Sequence, residues 1–285
     1  MIVLQRGSAF TIVKHNKSEN RNLCFYFLVA FAFSWLLWLP GVLSSNGLDL
    51  PSVYAATVLG AFGPFVAAFS LTYFNEGKDG VKKLLKRGFD HKFGKVWLIP
   101  LFLVFPAING SALLLGILTE GGTPDLFWLS NPLLIIVYFI YIFFLAGGVT
   151  EEFGWRGYAL DRLQARYNAV VSSVILGFLW GLWHLPQFFI SGLPTYEGVP
   201  FWGFLLESTF LTILFTWLYN NTGGSILVAL IFHTMLNLSF LMFPVVWEFG
   251  FYSLPTLYSL ILAFIIVIVV IIFWGPKRLV RETNK

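Results

Sequence analysis

Two adjacent glutamates and an arginine, Glu151, Glu152 and Arg156, stand at the end of a long apolar run in a chain that otherwise keeps charge out of such runs. An ionised carboxylate in or beside hydrocarbon costs at least a few kcal/mol, so the cluster marks a functional site. Two further polar sets follow in separate apolar segments: His184 in Trp180-Gly181-Leu182-Trp183-His184, and His233 with Asn237 in His233-Thr234-Met235-Leu236-Asn237. Glu152 and Arg156 are four apart, share a helical face and can pair. Glu151 is rotated by about 100° from Glu152. It is expected to stay unpaired in a low-dielectric site, suited to general base work.

Each set has a structural reading beside the chemical one. Charges at span ends are common, a histidine among tryptophans can be packed core, and His233 with Asn237 can glue helices together. What favours chemistry is the set as a whole, since these are the only two of the four histidines in apolar segments. A carboxylate, two imidazoles and an amide on three helices can activate water and stabilise an oxyanion. Glu151, His184 and His233 could equally supply a His2Glu zinc site with an open water position.

The elements that must position these residues are membrane helices. Of 285 residues, 58% are hydrophobic and 11% charged, and the mean hydropathy is +0.78; soluble domains carry about 25% charged residues. Apolar stretches of roughly 18 residues or more lie at about 22–44, 52–74, 96–118, 132–152, 170–190, 202–220, 224–243 and 254–274. The expected fold is an all-α bundle of about eight transmembrane helices, because a helix satisfies its own backbone in lipid and the runs lack barrel alternation. With a cytoplasmic N-terminus, all 18 Lys and Arg fall on the inner side, while the outer loops carry only Asp49, Glu120, Asp125, Glu197 and Glu248. That split places both termini in the cytoplasm. The net charge of +4 is then topogenic, with no nucleic-acid partner implied.

The chain reads as one membrane domain over 22–274 with its motif-bearing core at about 130–243, between cytoplasmic tails 1–21 and 275–285. The first apolar run is too long for a cleaved signal and is read as a retained span. Residues 75–95 are expected to form a short amphipathic helix, with Lys82, Lys83, Lys86 and Arg87 on anionic headgroups. Gly60, Gly63 and Ala67 favour close helix contact, and five prolines, including Pro64 and Pro186, should kink or end spans. Cys24, the only cysteine, excludes an intramolecular disulfide and a thiolate metal cluster. A depth mismatch arises if the fifth span begins at Val170, since His184 would then sit about 21 Å above its start. The resolution expected is a start nearer Val174, with the Glu151 helix running to about Tyr158.

Glu151-Glu152-Phe153-Gly154-Trp155-Arg156-Gly157 resembles the EExxxR motif of the CAAX protease and bacteriocin-processing (CPBP, or Abi) intramembrane endopeptidases. The run ending in His184 resembles their second motif, with Trp180 where phenylalanine is more usual. His233 to Asn237 is similar to their third, HxxxN, and Gly63-Pro64 and Tyr219-Asn220-Asn221-Thr222-Gly223-Gly224-Ser225 are similar to bacterial members. The resemblance covers roughly residues 55–240, with the motifs in order. It implies a proteolytic site in which Glu151 and His184 activate water and His233 and Asn237 stabilise the oxyanion; the i, i+4 pair Glu152 and Arg156 is read from its spacing as structural support. The compact loops point to a bacterial multi-pass plasma-membrane protein, and the resemblance implies a peptide or protein substrate, with a lipid-modified or membrane-embedded one left open. Members are described both as metalloproteases and as metal-free glutamate proteases, so zinc stays an open alternative.

Two other classes compete. A non-catalytic bacteriocin-immunity or scaffold protein would keep the fold and bind a peptide or partner. A transporter would use Glu151, Glu207 and the histidines as a proton relay, although no inverted repeat relates the two halves. Rival protease classes fail on residues, for there is no HExxH, GxGD or GxSG setting.

Overall fold

The computed structural model describes residues 3–6, 9–12, 17–48, 50, 53–122, 124–193 and 195–281, so Asp49, among the outer acids, lies outside the described residues. Two short antiparallel strands, β1 (Val3–Arg6) and β2 (Ala9–Ile12), precede an all-helical bundle. Its helices are α1 (Lys17–Ser45), α2 (Val53–Gly60), α3 (Gly63–Arg87), α4 (Leu98–Glu120), α5 (Phe127–Ser130), α6 (Leu133–Leu145) and α7 (Gly148–Gly154). A π segment, Trp155–Leu160, leads to α8 (Asp161–Gln164), α9 (Ala169–Trp183), α10 (Phe201–Asn221), α11 (Ile226–Met242), α12 (Val245–Phe249) and α13 (Leu254–Trp274).

Among the described residues six helical stretches are long and apolar enough to cross a membrane, and α2 with α3, bent by 47°, makes a seventh if the pair is one span. The remaining expected run, 224–243, becomes α11, an apolar helix of 17 residues. Exposed Leu36, Leu118, Leu133 and Ile272 give the outside a lipid-facing surface. The chain is a multi-pass membrane protein.

Since lipid tails are as apolar as leucine, close packing and internal hydrogen bonds must hold such a bundle together. Gly60 and Gly63 act as expected: a side chain at either would strike α1, at Trp38 and Ser34 respectively. Trp38 donates its indole N–H to Thr57 O at 2.9 Å, and Trp35 to Trp183 O at 2.9 Å. A buried chain Ser259, Asn109, Ser239, with links of 2.9 and 3.0 Å, pins α13, α4 and α11.

The segments assigned to the inner side meet at one end of the bundle: Arg87 reaches Gly157 and Asp161, and Ala169 N donates to Lys277 O. The outer ones meet at the other, where Ser191 N donates to Ser45 Oγ and Leu254 N to Glu120 Oε1. The cytoplasmic loop helix expected over 75–95 is the continuation of α3 as far as Arg87, past a non-helical Gly77.

Three boundaries differ from expectation. The fourth run is not one straight helix; it breaks at Ala146 and Gly147, where Gly147 takes a φ of 131°. The fifth helix begins at Ala169, not near Val174, because Asn168 caps it by accepting from Val171 N at 2.8 Å. That helix also ends at Trp183, with His184 as its C-terminal cap, although the apolar span continues past the histidine to Phe189. Pro186 disfavours the α conformation in the residue before it and cannot donate to a continuing helix, and the chain proceeds as the 3₁₀ turn Leu185–Phe189. The other expected adjustment holds, since helix beyond Glu151 runs to Gln164.

Candidate active site

α7 carries the two glutamates into the centre of the bundle, where Glu151 is 5% exposed and Glu152 and Arg156 are fully buried. The break before it makes this possible. Asn237 donates to Ala146 O at 2.8 Å, and Gly147 N donates to Thr150 Oγ1 at 3.1 Å, so the backbone freed by the interruption is satisfied from α11 and α7. Glycine is required at the break, because a Cβ on residue 147 would lie 2.5 Å from His233 Nε2 and 3.0 Å from Asn237 Nδ2.

Glu152 accepts from Arg156 Nη1 at 2.6 Å, the expected pair one turn apart. The same oxygen faces His233 Nδ1 at 2.7 Å, a contact that sequence spacing does not reveal. A carboxylate held by arginine is acceptor only, so Nδ1 carries the proton and Nε2 points at Gly147. The Arg156 guanidinium lies over Phe215 at 4.0 Å and Trp180 at 5.2 Å.

Glu151 has no ion pair among the described residues, but it is not free as expected: its Oε2 accepts the indole N–H of Trp180 at 2.6 Å and of Trp155 at 3.1 Å. No described residue donates to Oε1. His184 Nδ1 sits 2.8 Å from Trp180 O, and since a carbonyl can only accept, Nδ1 is protonated and Nε2 keeps its lone pair. The imidazole is enclosed edge-on by Trp180, Trp183 and Phe204, with ring centroids 5.7, 4.6 and 5.0 Å away. Tyr196, on the loop beyond, closes over it at 6.1 Å. Burial, with the Glu151 charge behind it, pushes the Tyr196 phenol up, so it remains a neutral hydroxyl.

Trp180 is the hub. Its indole holds Glu151, its carbonyl holds His184, its ring lies 5.4 Å from that of His233, and Arg156 rests on its face. The six residues chosen from sequence are thereby brought together, with Asn237 joined to them through Ala146. Glu207 lies apart on α10, half-buried and without an ion pair or hydrogen bond among the described residues. Sequence reasoning gave no role to Trp155, Trp180 or Gly147. The tryptophans had a signal in their spacing, four residues after Glu151 and four before His184.

Among the described residues no group of three or more His, Cys, Asp or Glu side chains is arranged to hold a metal ion.

Residues 132–239 match the model of the type II CAAX prenyl endopeptidase Rce1-like family, the stretch that holds every one of these side chains. Over 223 residues the chain is 32% identical to CAAX prenyl protease 2 of Methanococcus maripaludis, covering 75% of this chain and 82% of that protein. This chain belongs to the CAAX protease family. As a CAAX protease it is a membrane-embedded peptidase, and its substrate is a peptide or protein.

Proposed function

We propose that this CAAX protease hydrolyses a peptide bond with a water activated by Glu151 and His184. The arrangement around Trp180 carries the reading: it fixes one oxygen of Glu151 and one nitrogen of His184 and leaves Oε1 and Nε2 as the two free proton acceptors. Water attacks the carbonyl carbon as Glu151 takes its proton; the proton then passes to the leaving amine. His233, with Nδ1–H held by Glu152, can carry a second proton on Nε2, and Asn237 keeps one amide hydrogen beyond that given to Ala146 O. Both can donate to the oxyanion.

In this reading Glu151 itself, and not a zinc-bound hydroxide, is the base that takes the proton of the attacking water. An apolar groove of about 550 Å³, lined by Trp35, Leu36, Leu39 and, just past His184, Leu185, Pro186 and Phe189, suits a lipid-modified or membrane-embedded substrate. The one-sided basic residues orient both termini and the α8 end of the bundle to the cytoplasm.

The test is incubation of purified protein with a farnesylated peptide ending in a CaaX sequence, its unprenylated twin and a peptide library, followed by mass-spectrometric mapping of cut sites. Cleavage that survives a chelator, in protein shown metal-free by elemental analysis, is expected. Binding without any cleavage would favour the immunity or scaffold reading, and activity restored by zinc alone would overturn the metal-free step.

A further inference from the structure

The turn Tyr219 to Ser225 is not used by the chemistry above, yet it meets a half-buried arginine from another helix. Arg87 ends α3, and its Nη1 donates to Gly157 O at 3.0 Å. Its Nη2 pairs with Asp161 Oδ2 at 2.9 Å, donates to Gly224 O at 3.3 Å and also donates to the Tyr219 hydroxyl. Tyr219 in turn donates to Asp161 Oδ1 at 2.7 Å, closing a ring of three side chains. One guanidinium thus joins α3, the π segment, α8 and the α10–α11 turn.

The position of these acceptors matters. A π segment holds one residue more per turn than an α-helix, and relaxing it would rotate α8 by about 100° relative to α7. Gly157 lies inside the segment and Asp161 is the first residue after it. Gripping both holds the extra residue in place. A second arginine assists, since Arg162 Nη1 donates to Tyr158 O at 2.9 Å. The residues opening the segment are Trp155, which donates to Glu151, and Arg156, which pairs with Glu152. Gly157 itself is closely packed: a Cβ there would lie 2.6 Å from the Ile226 side chain of α11 and 3.2 Å from that of Leu84 of α3.

We propose that Arg87 is a positioning residue that locks the register of the Trp155–Leu160 π segment and so holds Trp155 and Arg156 on the two glutamates. Its effect on turnover rests on the peptidase reading above, whereas the lock itself does not. Hydrogen exchange followed by mass spectrometry on full-length wild type and Arg87→Ala reads the lock directly. Exchange in 155–165 should rise about tenfold or more while α9 and α11 stay protected. With the farnesylated peptide, kcat should fall roughly 10–100-fold at a KM within about twofold, the cost of a small misplacement. If Arg87→Ala does not fold, Arg87→Lys serves, since an ammonium keeps the charge opposite Asp161 but cannot fork between Gly157 O and Gly224 O.

Unchanged exchange in 155–165 would overturn the lock. Raised exchange with wild-type kcat would overturn its role in positioning. Wild-type protein that cleaves nothing would sink the peptidase reading, and exchange alone would then decide the lock.

Discussion

The two sides of α7 hold the same functional group in opposite ways. On one side Glu152 spends a single oxygen on two basic partners, Arg156 at 2.6 Å and His233 at 2.7 Å, and is fully buried. On the other, Glu151 meets two neutral indoles at 2.6 and 3.1 Å and keeps an oxygen without a donor among the described residues. A carboxylate compensated by charge is fixed; one cradled by dipoles can still accept a proton. Adjacent residues of identical chemistry are thereby given different work by the 100° that one helical step turns them.

The largest effect should come from the free side. Glu151→Gln keeps an oxygen for the indoles but cannot take a proton, so cleavage should fall below about 10⁻³ of wild type while stability changes by only about 1 kcal/mol. A cleavage assay beside thermal melts in detergent checks both, and wild-type turnover would remove Glu151 from the role of base. The charged side should show the inverse. Arg156→Ala leaves a buried carboxylate without its main partner, a loss of roughly 3–5 kcal/mol, to be seen as lowered expression and melting temperature; Glu152→Gln should do the same from the other partner. If both variants melt with wild type, the contrast between the two sides fails.

Asn237→Ala should cost about 10²–10³ in kcat, as expected for one oxyanion donor. It would also free Ala146 O, so a small drop in stability is expected alongside. The mildest change is Trp180→Phe, which keeps a ring between the histidines and removes one hydrogen bond to a charged group, worth about 1.5–3 kcal/mol. Turnover should fall about tenfold or somewhat more, with KM nearly constant. A rise in KM alone would mean that Trp180 shapes the substrate path and does not hold the base.

The bundle could be read from sequence because the signal for a membrane helix is long and local: eight apolar runs, each of which is helical in the structure. The pairing of Glu152 with Arg156 was legible for the same reason, as one turn of one helix. What was not legible depends on other helices. His233 reaches Glu152 from α11, 81 residues away, and Trp180 reaches Glu151 from α9, 29 residues away. The break at Ala146 has no proline, and its one local mark, the pair Gly147-Gly148, sits in an otherwise unbroken apolar run, while its stabilisation by Asn237 comes from a distant segment. The ending of α9 at His184 was only half visible: Pro186 signalled an interruption, but not that the cap itself would be the histidine.

The glycine at that break sets a limit on how this chain can vary. Residue 147 must adopt a φ of 131°, and it has His233 Nε2 where a Cβ would be. Gly223, in the turn between α10 and α11, has a φ of 69° and open space, with nothing within 4 Å of the place a Cβ would take. The left-handed region at 223 is open to asparagine and aspartate at modest cost, whereas the conformation at 147 is foreign to every L-amino acid and the space is taken. A saturation library screened for function should therefore return several residues at 223 and glycine alone at 147, making one a freely drifting position and the other a point at which the lineage has no neighbours to explore.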